Sequence, residues 1–141
     1  MVNKYYISTD KSKLNITLIH EFLDKKSYWA NGRSLAAIKK SIDNSLCFGV
    51  YLNDKQVGFA RVITDYAVFA YILDVFILEE HRKQGLGKLL MKKITEYPEL
   101  QCLKRWGLAT NDAHELYRKY GFKNLSHPEY MMEKIVKQAE K

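Results

Sequence analysis

The stretch from Val68 to Gly87 changes its apolar period abruptly, and that change limits the fold more than any other feature of the chain. Val68 to Leu78 is nearly all apolar, as expected of a central strand covered on both faces. Glu79-Glu80-His81-Arg82-Lys83-Gln84-Gly85-Leu86-Gly87-Lys88 follows at once, and Leu86, Leu89, Leu90 and Ile94 then recur at helical spacing before Pro98. A buried strand that runs through a short glycine-bearing loop into an amphipathic helix belongs to a mixed α/β architecture.

The flanking segments complete that architecture. Lys4 to Ser8 is predicted as a first strand. Asn15 is predicted to cap a helix carrying Leu18, Ile19, Phe22 and Leu23 on one face. Tyr28-Trp29-Ala30-Asn31-Gly32-Arg33 interrupts it, and Ser34 caps a second helix with Leu35, Ile38 and Ile42 inward. Leu46 to Leu52 and Val57 to Thr64 read as a hairpin around Asn53-Asp54-Lys55. Beyond Pro98, Trp106 to Ala109 reads as a short strand. Asp112 and Glu115 form a D-x-x-E capping box for a helix with Ala113, Leu116, Tyr117 and Tyr120, ended by Gly121. A last strand is expected near Tyr130 to Ile135. The fold class is α+β: a mostly antiparallel mixed sheet flanked by helices, in one domain over residues 1–141.

Composition removes several classes. With 47% hydrophobic and 28% charged residues, the chain is globular rather than disordered. The longest apolar run, Tyr66 to Leu73, is far short of the ~18 residues of a membrane span, and Met1 to Asp10 lacks the apolar core of a signal peptide. Cys47 and Cys102 have no metal-ligand spacing and are expected as buried, reduced thiols of a cytoplasmic protein without a metal. Charge is uneven. Residues 1–79 carry 10 basic and 8 acidic side chains, and residues 80–141 carry 13 and 8. A basic C-terminal half draws in polyanions, either nucleic acid or a phosphorylated small molecule.

The loop after the central strand favours the second. Gly85 and Gly87 let a ligand approach the backbone closely. The N–H groups that open the next helix carry the positive end of its dipole, and Arg82, Lys83 and Lys88 add formal charge. Neither the G-K-[ST] ending of a P-loop nor the G-x-G-x-x-G dinucleotide fingerprint is present.

R-x-x-G-x-G after a hydrophobic strand resembles motif A of the GNAT superfamily of acyl-CoA-dependent N-acetyltransferases. Asn111-Asp112-Ala113-His114-Glu115-Leu116-Tyr117-Arg118-Lys119-Tyr120-Gly121-Phe122 resembles its motif B, with Ala113 one place early relative to Asn111, and Gly58 in "QVGFARV" resembles a further strand of the family. The resemblance implies acetyl-CoA as co-substrate. It places the pantetheine arm along Val75, Phe76 and Ile77 and the pyrophosphate on Arg82, Lys83, Gln84, Gly85, Leu86, Gly87 and Lys88. Asn111 either orients the cofactor or caps a helix. Tyr117 is implied to protonate the leaving thiolate; read from the residues alone it is a core tyrosine on the stripe with Ala113, Leu116 and Tyr120.

The implied reaction is acetyl transfer to a primary amine of a small-molecule or peptide acceptor, by direct attack in a ternary complex. Acceptor contacts are expected from Tyr28, Trp29 and Arg33, whose aromatic and guanidinium groups suit a planar or carboxylate-bearing molecule. Asp74 is either an acceptor-site carboxylate or structural. Strand alternation puts it on the face opposite Leu73 and Val75. Two other classes compete: an acyl-CoA-binding sensor without turnover, and a basic nucleic-acid module. The latter would need aromatics interleaved with Lys and Arg on one surface, whereas most tyrosines fall on predicted core stripes. Neither nucleic acid nor membrane is expected as a partner, and a homodimer is allowed for.

Overall fold

A computed structural model describes residues 4–136. The order is β1 (Tyr5–Ser8), α1 (Ile16–Glu21), α2 (Leu35–Asp43), β2 (Leu46–Leu52), β3 (Lys55–Thr64), β4 (Phe69–Ile77), α3 (Leu86–Thr95), β5 (Arg105–Leu108) and α4 (His114–Arg118). The strands form one sheet in the order β1-β2-β3-β4-β5, antiparallel except for the parallel β4–β5 pair. Each face of the sheet carries its own core. Phe48, Val50, Val62 and Ile72 pack with Leu90, Met91 and Ile94 of α3. On the other face, Phe59 and Phe76 pack with Ile19, Phe22, Ile38 and Ile42 from the two N-terminal helices.

Local chemistry explains the helix starts. Asn15 Oδ1 accepts from Leu18 N–H, and Ser34 Oγ from Ala37 N–H, as their caps require. The first helix does not continue regularly. After Glu21 it widens into a π-turn, with Ser27 N–H donating to Phe22 C=O across five residues. Such π insertions are frequent at functional sites, and this one delivers the chain to Tyr28 and Trp29.

Four expectations are corrected. Tyr130 to Ile135 forms no strand: Pro128–Tyr130 is a single 3-10 turn, and the following residues are exposed, Met132 at 94%. The β5 edge therefore carries no further strand among the described residues. Asp112 and Glu115 form no capping box; Thr110 Oγ1 accepts from Asp112 N–H and Ala113 N–H instead. Cys102 is exposed, because it lies in the turn after α3, while Cys47 is buried in β2. Finally, Asp74 does not lie opposite Leu73. Phe59 pairs with Phe76 and Arg61 with Leu73, so β4 holds two residues, Asp74 and Val75, against one on β3. This is a β-bulge, which breaks strand alternation, and Asp74 takes the left-handed conformation (φ 54°). Arg61 shares a face with its partner Leu73 and donates from Nε to Asp74, so all three lie on the α1–α2 side.

Candidate active site

The bulge sits where β4 parts from β5. The parallel ladder runs from Phe69↔Arg105 to Ile72↔Leu108 and stops. Leu78 N–H donates to Val57 C=O at 2.8 Å, and Phe59 pairs with Phe76 two positions along. Because antiparallel ladders alternate, the main-chain groups of Phe76 face β3, and those of Val75 and Ile77 face the opened edge. Arg82 Nε donates to Ile77 C=O at 2.9 Å from that same side. The Phe76 ring points away from the edge and stacks on Phe22, with centroids 4.0 Å apart.

The loop after β4 leaves its backbone donors from Lys83 to Lys88 unpaired among the described residues. Lys83 and Gly85 both have positive φ, 64° and 77°, which turns consecutive N–H groups toward one side. None of the six N–H groups from Lys83 to Lys88 has an acceptor among the described residues; the first α3 bond is Leu89 N–H to Gly85 C=O. No acidic residue stands in the first turn of α3. The two glycines serve different ends. A Cβ on Gly85 would meet nothing within 4 Å, whereas one on Gly87 would lie 3.4 Å from Leu116 Cδ2. Gly85 is thus needed for its conformation, whereas a Cβ on Gly87 would make ordinary van der Waals contact with α4.

Tyr5 braces this loop from the first strand. Its hydroxyl is 3.0 Å from His81 Nδ1 and 3.2 Å from Gln84 Oε1, so it can donate to the amide while accepting from the Nδ1–H tautomer of His81. Sequence reasoning missed this role, since Tyr5 and Gln84 are separated by most of the chain. Tyr120 Oη donates to Lys88 C=O at 2.8 Å and ties the end of α4 to α3, the packing role expected of it.

Tyr117 is buried on α4 within the core cluster that includes α3, its ring edge-on to Phe122 at 6.1 Å. Burial pushes its phenol above the ordinary tyrosine pKa, with the charge of Asp112 and the nearby Tyr28 phenol adding to the effect. The group stays protonated through neutral pH, as a proton donor must. Asn111 is exposed beside Asp112, His114 and Arg118 and caps nothing; Thr110 has taken that task.

The four residues expected to contact the acceptor come together. Asp74 Oδ1 accepts from Trp29 Nε1 at 3.0 Å, and Oδ2 accepts from Arg33 at 2.7 Å and Arg61 at 2.9 Å. Tyr28 stands edge-on to Trp29 at 5.0 Å. Arg61 also donates to Ser45 Oγ. Sequence reasoning did not include Arg61, because one arginine inside a strand carries no motif. With three donors on it and its side chain 1% exposed, Asp74 is an anchor and not a free base.

Residues 43–124 match the acetyltransferase (GNAT) domain family, more than half of the chain. The chain belongs to the GNAT superfamily of acetyltransferases. It is accordingly an acetyl-CoA-dependent acetyltransferase. A Gibberella zeae protein, provisionally named an acetyltransferase, is 30% identical over 82% of this chain and 76% of its own. A crystal structure from Xanthomonas campestris pv. campestris, of a protein provisionally assigned to the GNAT family, is 48% identical with TM-score 0.92, covering 96% of both chains. A Mycobacterium tuberculosis protein solved with CoA shares the fold at TM-score 0.70 and 13% identity, over 86% of this chain and 73% of its own. Among the described residues no helix is long and apolar enough to cross a membrane, and no group of three or more metal-ligating side chains is gathered.

Proposed function

We propose that residues 1–141 form one N-acetyltransferase domain that moves an acetyl group from acetyl-CoA to a primary amine by direct attack in a ternary complex. The observation that carries this reading is the junction of an opened β4 edge with six acceptor-free N–H groups. The edge suits a chain of amide groups, and the cradle suits a pyrophosphate.

Bound acetyl-CoA supplies an acyl thioester whose carbonyl carbon accepts the amine. In this reading Arg82, Lys83 and Lys88 attract the phosphates, and the N–H groups from Lys83 to Lys88 hold them. The outward groups of Val75 and the N–H of Ile77 pair with the pantetheine amides, while Arg82 holds the Ile77 C=O. Trp29, Tyr28 and Arg33 hold the acceptor on the other side of the bulge. The amine gives up its proton to water, since Asp74 is fully engaged. As the C–S bond breaks, Tyr117 Oη gives its proton to the departing sulfur and regains one from solvent. Cys47 is an unsuitable nucleophile, its thiol pushed up to about 11 by burial, so no acyl-enzyme enters the scheme.

Two measurements test the proposal together. Calorimetry with CoA and acetyl-CoA should show saturable binding, and thiol release should appear with some member of a panel of amines, amino acids, aminoglycosides and peptides. Absence of binding at millimolar cofactor would overturn the reading. Binding without thiol release or acetylated product across the panel would instead support a sensor.

A further inference from the structure

The charges around Asp74 do not balance. Arg33 and Arg61 share this single carboxylate, and no other acidic oxygen lies within 4.0 Å of either guanidinium among the described residues. Three groups therefore leave one positive charge. Arg61 is enclosed, its side chain 8% exposed and a further nitrogen bound to Ser45. The excess falls on Arg33, whose side chain is 26% exposed.

Arg33 is also held ready. It gives only Nη1 to Asp74, and neither its Nε nor its Nη2 has a partner among the described residues. Its carbonyl is fixed by His20 Nε2 at 3.1 Å, and its N–H bonds Ala30 C=O. A guanidinium anchored through one nitrogen keeps an open edge that matches a planar two-oxygen acceptor. Beside it stand Trp29, 39% exposed, and Tyr28, 61% exposed, which supply flat apolar contact next to the charge.

Within the acetyltransferase reading, we propose that the acceptor is an amine bearing a carboxylate, such as an amino acid or a close analogue, and that Arg33 binds that carboxylate while Trp29 and Tyr28 cover its carbon skeleton. One surplus charge matches one carboxylate; a phosphate dianion would need a second, and a polyamine would be repelled.

The test uses binding as well as turnover. A Trp106→Phe background leaves Trp29 as the sole tryptophan reporter. With CoA present, N-acetyl amino acids with a free carboxylate are titrated against their carboxamides by tryptophan fluorescence. The free acids should bind ~10- to 100-fold more tightly, the range of a lost hydrogen bond to a charged group. Arg33→Gln should erase that difference while leaving CoA binding intact, and Arg33→Lys should restore part of it. In turnover, free amino acids should surpass their amides through KM more than through kcat. Equal binding of acids and amides, no binding of either, or an Arg33→Gln variant that keeps the preference would each overturn the proposal. The CoA titration of the same protein separates that result from failure of the acetyltransferase reading.

Discussion

Gly87 of α3 and Leu116 of α4 stand so close that a Cβ on the glycine would lie 3.4 Å from Leu116 Cδ2. Tyr117 is the next residue, so the helix that carries the proposed proton donor is seated against the helix that opens the proposed phosphate cradle. The two glycines of the loop should consequently fail in different ways. Gly85→Val forces a branched residue into φ 77°, at a cost of ~1–2 kcal/mol, and should weaken CoA binding by distorting the N–H groups. Gly87→Val pushes on α4, and should lower kcat as well as affinity. Calorimetry and kinetics on the two variants check this; equal effects on both constants would refute the distinction.

Tyr117→Phe should lower kcat by ~10²–10⁴, the range for loss of a general acid, while CoA affinity changes little because the ring remains. Because burial raises its pKa, any alkaline loss of the wild-type chemical step assigned to this phenol should lie above the ordinary tyrosine value of about 10. A Phe variant with wild-type kcat, where chemistry limits turnover, would assign leaving-group protonation to water.

Asp74→Asn should destabilise the fold by ~3–5 kcal/mol, as expected when one partner leaves a buried ion pair. Asparagine tolerates the left-handed backbone at this position, so the loss reports charge rather than strain. Denaturant unfolding gives the number. A loss under ~1 kcal/mol would mean that solvent reaches the arginines and screens them.

Asp65 closes the β3–β4 turn, where Oδ1 accepts from the N–H groups of Ala67, Val68 and Phe69. The Val68 bond, then those of Ala67 and Phe69, hold its carboxyl below the ordinary aspartate value. A depressed pKa contributes stability that is complete above the unfolded value of about 3.9 and lost as pH falls through the folded one. The melting-temperature gap between wild type and Asp65→Asn should thus exist at neutral pH and close in acid. A gap independent of pH would assign the effect to shape alone.

Much of this molecule was legible before its structure. The period change at Leu78 and the glycines after it located the loop between β4 and α3, and the Leu116-Tyr117 stripe located α4. The bulge was not legible, because counting alternate residues presumes that both strands spend residues at equal rates. That presumption misplaced Asp74 relative to Leu73 and hid its partnership with Arg61. Asn111 and Asp112 were chosen for capping over Thr110 because side-chain type is visible in sequence, whereas the direction from which the chain enters a helix is not. A strand was expected near Tyr130 to Ile135, but a strand also requires a neighbour to pair with, and none adjoins it among the described residues.

The brace that Tyr5, Gln84, His81 and Arg82 place on the loop has a kinetic consequence. Its shape is tied to β1 and to Ile77 C=O by the chain's own bonds, so the entropy of ordering it was spent when the protein folded. In the proposed reading, an arriving phosphate chain meets a finished mould. Its association rate should then follow ionic strength, through the exposed cations of the loop, and show no saturating slow step as its concentration rises.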